Sequence, residues 1–161
     1  MSQQALINHL VTSLSELDTK LTQLSQTLLQ EQTALSDKHF DNIQTLADEK
    51  ITLTQGIELA EQSRVKACAE LNISPDKAAL GKWLKTQPKI IQQHIAKLWK
   101  RITFLGQKCA TQNQINGILV AHQHRHAQDA LCILRGVAGP DDYSEKGKQD
   151  TQFSHNVIGK V

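Results

Sequence analysis

Three histidines stand closest to metal chemistry in this sequence: His122, His124 and His126. His122 and His126 are four apart and share one helix face, a pair that could grip Zn²⁺ or Ni²⁺. A zinc site takes three or four protein ligands. Here no cysteine or carboxylate joins the pair at local spacing, and Asp129 is the nearest acid. The pair therefore reads as a solvated helical face, and no metal is assigned. Cys68, Cys109 and Cys132 form no CxxC pair, and an odd, widely spaced set reads as reduced thiols packed as small hydrophobes. The sequence has no Gly-rich phosphate loop, no HExxH and no nucleophile elbow. Ser, His and Asp are present but scattered along helical sequence. No catalytic residue and no cofactor can be named, so the chain does not read as an enzyme.

Charge adds little. A formal net charge of +2 over 161 residues implies no polyanion partner. Basic residues alternate with acids and Gln, and no helix carries a basic stripe. Lys82, Lys85, Lys89, Lys97, Lys100, Arg101 and Lys108 make a locally basic stretch, which on an amphipathic helix reads as the wet face. No nucleic-acid partner is expected.

The elements that must position these residues are long helices. Ile7, Leu10, Leu14, Leu17, Leu21, Leu24, Leu28, Glu31 and Leu35 repeat in the three-four alternation of a heptad seam, without Gly or Pro between them. This predicts a first helix from Ser2 or Gln3 to Ser36, about 45 Å long at 1.5 Å per residue. The short link 36–39 implies an antiparallel hairpin, with Asp37 as N-cap of the second helix. That second helix is expected from Lys38 to Leu71, on the seam Ile43, Leu46, Lys50, Leu53, Ile57, Ala60, Arg64, Ala67 and Leu71. Lys50 and Arg64 either lay their stems along the seam with heads in water or pair with Glu31 or Glu16. Gly56 is read as a weak point on the outer face.

Pro75 breaks the pattern. Ser74 is expected to cap a short helix from Asp76 to Lys85 that presents Leu80, Trp83 and Leu84. A long helix then runs from Pro88 to Leu134. Its seam is apolar through Ile91, Ile95, Leu98, Ile102, Leu105 and Cys109. It then turns polar at Gln112 and Asn116. Residues 111–117 are poor helix sequence, so a kink or fraying is expected there. Asn113 and Asn116 either specify partner number and register, as seam asparagines can, or cap a kink. Gly136 to Val161 holds too little apolar material to offset the entropy of ordering it. The expected organisation is one all-α domain over residues 1–135, an elongated antiparallel helical hairpin plus a short helix and a long C-terminal helix, with a disordered tail over 136–161. With only 4% aromatic residues, thin Leu/Ile seams must make the core. No apolar run approaches a membrane span, and Met-Ser-Gln-Gln does not open a signal peptide, so a soluble cytoplasmic protein is expected.

The layout resembles the FlgN-type flagellar export chaperones. The resemblance rests on Leu28-Leu29-Gln30-Glu31-Gln32-Thr33-Ala34-Leu35 closing the first helix, then Lys50, Leu53 and Arg64 on the second. It continues with Asn113-Gln114-Ile115-Asn116-Gly117-Ile118-Leu119, then Leu131 to Leu134, then an element from Tyr143 to Gly147. It spans roughly Leu10 to Gly147, and the Asn-x-x-Asn-Gly element with Gly117 is its most specific part. The resemblance implies a non-enzymatic role: binding hook–filament junction proteins through their C-terminal helical segments, preventing premature assembly, and delivering them to the flagellar type III export apparatus. The under-packed late half of the last helix, with the tail, suits helix-in-groove recognition of such a client. The expected contact residues are Leu119, Leu131, Ile133, Leu134, Val137 and Tyr143, internal packing being the alternative for the leucines and isoleucines. A self-associating coiled-coil adaptor is the competing class.

Overall fold

A computed structural model describes residues 2–136. Among these there are four α-helices and no strands, so the chain is all-α. The tail expected to be disordered lies, beyond Gly136, outside the described residues. Helix α1 spans Gln3–Ser36. The Ala5 N–H donates to Ser2 Oγ at 3.3 Å, satisfying one of the free donors of the first turn. Its seam lies inward as its spacing demands: Ile7, Leu10, Leu14, Leu17, Leu21, Leu28, Glu31 and Leu35 are buried.

The helix stops by a route that its sequence does not advertise. Asp37 is its C-cap rather than the N-cap of the next helix. Lys38 then takes a left-handed φ of 58°, and the His39 N–H returns to the Ala34 carbonyl at 3.0 Å. The chain must unwind from that turn, so a 3₁₀ turn (Phe40–Asn42) comes first and α2 spans Ile43–Glu70. Helix α2 ends in the same way. Asn72 has φ 58°, its N–H reaches the Ala69 carbonyl at 3.0 Å, and Ile73 N–H reaches Cys68 at 2.9 Å. Helix α3 (Lys77–Leu84) starts later than expected, because Asp76 rather than Ser74 is the cap. Its carboxylate accepts from Ala79 N–H at 2.8 Å. The Ser74 hydroxyl and this N–H hold the Asp76 carboxyl below its usual range. Helix α4 spans Lys89–Leu134 and continues unbroken through residues 111–117, where a kink or fraying was the expectation.

Cross-helix contacts fix direction. His9 Nδ1 meets Glu70 at 3.0 Å while Glu31 meets Lys50 at 2.9 Å, so α1 and α2 are antiparallel. Arg101 meets Asp18 at 2.7 Å, Cys109 Sγ donates to the Leu21 carbonyl at 3.5 Å, and Asn116 reaches Leu28. The numbers rise together, so α4 runs parallel to α1. Two apolar clusters result. The wider gathers Leu10, Leu14, Ala67, Cys68, Ile73, Leu80 and Ile95, with Trp83, Trp99 and Leu98 against it. The narrower gathers Leu21, Leu28, Leu105 and Cys109. Each fully buried Leu or Ile contributes about 1.5–3 kcal/mol of transfer free energy. Gly56 is not on an outer face: a Cβ there would come within 3.3 Å of the Lys20 stem of α1. The chain divides into two compact units, Met1–Ala121 and His122–Val161. No helix of the described residues is long and apolar enough to cross a membrane.

Candidate partner-binding surface

The seam of α4 leads to the first notable group. Where the apolar run ends, Asn116 is buried at 2% exposure. Its amide donates to the Leu28 carbonyl and to Glu31 Oε2, each at 2.8 Å, and its Oδ1 accepts from Gln112 at 3.0 Å. Glu31 also takes both of its oxygens to Lys50 Nζ, at 2.9 and 3.2 Å. A buried carboxylate left without partners would be costly. Here an ammonium from α2 and an amide from α4 satisfy it. One side chain from each long helix thus meets at a single polar node, and sliding any helix by a turn breaks it. Lys50 meets Glu31, one of the two partners that its seam position suggested, and Asn116 joins them. Asn113 is exposed, and Gly117 faces open space.

Arg64 corrects the other seam expectation. Its head does not reach water, and it pairs with neither Glu16 nor Glu31. It is 5% exposed and forks onto Glu61 of its own helix, at 2.6 and 2.8 Å. It also donates to the Pro75 carbonyl at 3.0 Å and lies 5.1 Å from the Trp99 ring centroid. The hydrogen bonds to Glu61 push its pKa up, against the opposing cost of burial. A planar guanidinium can fork and stack at once, which an ammonium cannot. Arg64 therefore ties α2 to the Pro75 link and to α4.

Of the expected client contacts, Leu119 lies in the first compact unit and is half-buried, in line with its seam position. Ile118 and Val120 on either side are more exposed, a consequence of the three-four register that turns only one of three consecutive residues inward. In the second unit Leu131, Ile133 and Leu134 are 48%, 76% and 83% exposed. Val137 and Tyr143 lie outside the described residues. Helix α4 closes at Gly136, whose φ of 66° and N–H bond to Ile133 at 3.1 Å make a left-handed stop. His122 and His126 do come together, Nε2 to Nε2 at 3.2 Å with rings edge to face. Among the described residues no three His, Cys, Asp or Glu side chains gather as a metal site. Burial pushes the Cys68 and Cys109 thiols up in pKa, the direction of an unreactive packing residue. The late residues of α4 leave apolar side chains exposed.

A sequence model of the family described as FlgN protein matches residues 1–151. No curated protein and no solved structure matches the chain.

Proposed function

Because the chain belongs to the FlgN family of flagellar export chaperones, we propose that it binds hook–filament junction proteins, blocks their premature assembly and delivers them to the flagellar export apparatus in the cytoplasm. The client contributes a C-terminal helical segment. It docks on the late residues of α4, with Leu131, Ile133 and Leu134 as anchors and with Leu119, Val137 and Tyr143 contributing. The observation that supports this reading is the exposure of those three aliphatic side chains on one helix. Exposed apolar side chains on a helix are surface that an amphipathic client helix can recognise, and Leu131 and Leu134, three apart, share one face.

Pull-down of a junction protein from the same genome tests it. Leu131→Asp and truncation at Gly136 are both expected to lose the client. Full binding by both overturns the assignment. A mass-resolved gel-filtration run separates the competing self-associating adaptor: a dimer of the chain alone, with no shift on adding the junction protein, favours the adaptor.

A further inference from the structure

The near-balanced charge conceals a segregation. Before Lys77 the sequence carries eleven Asp or Glu and five Lys or Arg. From Lys77 to Gln128 it carries nine Lys or Arg and no acid at all. The basic residues therefore do not alternate with acids along this stretch, and the reading of a merely wet face is incomplete. The same stretch holds an apolar groove of about 440 Å³ between α3 and α4. Leu80 and Leu84 form one wall, with Gly81 between them. Trp99 and Phe104 form the other. Phe104 is 64% exposed although it faces this recess. On α4 the lining residues recur at three-four spacing from 96 to 107, a stripe of about 16 Å at 1.5 Å per residue. Lys77 and Lys100 stand on the rim, and neither has an ion-pair partner among the described residues.

We propose that this groove docks an acidic amphipathic helix of a partner protein, at a site separate from the late residues of α4. An apolar stripe about three turns long matches a helix that anchors through i, i+3, i+4 and i+7. The unpaired rim ammoniums match acidic residues flanking those anchors, and they disfavour a basic helix. The apolar surface is recessed between two helices. A lipid-binding helix presents a projecting apolar face instead. Nucleic acid would leave the apolar floor unused.

Gly81 provides the test. A Cβ there meets nothing within 4 Å, so Gly81→Leu fills the groove without disturbing the fold. The probe is an 18-residue synthetic helix with Leu at i, i+3, i+4 and i+7, Glu flanking those anchors and Ala elsewhere, read by the emission of Trp99 and Trp83 in the full chain. Phosphatidylglycerol vesicles, a 20-nucleotide oligomer and the same peptide with Lys for Glu are run beside it. The Glu peptide is expected to bind alone among the four. Gly81→Leu weakens it at least tenfold with an unchanged or higher melting temperature. Lys77→Glu with Lys100→Glu weakens it several-fold and removes its salt dependence. No binding of the Glu peptide, equal binding by Gly81→Leu, or tighter binding of vesicles or oligonucleotide overturns the proposal. The two sites are distinguishable: Gly81→Leu retains the junction protein in pull-down, and Leu131→Asp retains the Glu peptide.

Discussion

Ile95 and Ile133 lie on the same helix, are the same residue, and could hardly differ more in surroundings. Ile95 is 0% exposed within a cluster fed by α1, α2 and α3. Ile133 is 76% exposed. Helix propensity cannot separate them, because both sit in regular helix of similar apolar content. The difference is partner helices. An apolar residue early in α4 is covered and stabilises the fold, and the same residue late in α4 stays exposed.

Four substitutions or titrations can break or sharpen this contrast. The largest effect is expected from Ile95→Ala, about 2–5 kcal/mol lost in urea unfolding, since it leaves a cavity where several helices meet. A loss below about 1 kcal/mol would mean that the early cluster collapses easily and is no more committed than the late one. Next is Glu31→Ala, which strands the Lys50 ammonium and one donor of Asn116. It should cost about 1–3 kcal/mol, with Glu31→Gln costing less because an acceptor for Asn116 survives. Equal costs would show that the surviving acceptor contributes nothing and that the node depends on the charge of Glu31.

Burial raises the thiol pKa of Cys68 and Cys109. The folded chain therefore keeps those protons when the unfolded chain releases them. Their contribution is fully present below the unfolded value of about 8.5 and is lost as pH rises above it. Unfolding followed from pH 7 to 10 should show this decline, and removing both thiols should flatten it. Alkylation of the native chain at pH 8 should label Cys132, which is half-buried, before either buried thiol. The smallest stability effect belongs to Leu131→Asp, within about 0.5 kcal/mol of the parent, because its side chain is already 48% in water. A large loss of stability there would mean that the late surface is covered at home.

The three-four spacing was enough to place α1 and its inward face, since a strict apolar seam without Gly or Pro leaves one helical solution. Register was partly legible too: Glu31, Lys50 and Asn116 stand out as polar residues in apolar seams, and they meet. The Arg64 site was not legible. Its partners are a carboxylate three residues away, a carbonyl of the Pro75 link and a ring on α4, and only folding brings the last two near. The turn at Lys38 was hidden for a related reason. A left-handed residue is announced by Gly or Asn, and lysine gives no such sign. The groove between α3 and α4 was equally invisible, because Leu80, Leu84, Trp99 and Phe104 look like ordinary core residues in the sequence. Sequence alone determined that this chain makes long amphipathic helices, because periodicity is a local property. Only the tertiary structure decided which apolar faces are covered and which stay open, because burial depends on what distant segments bring alongside.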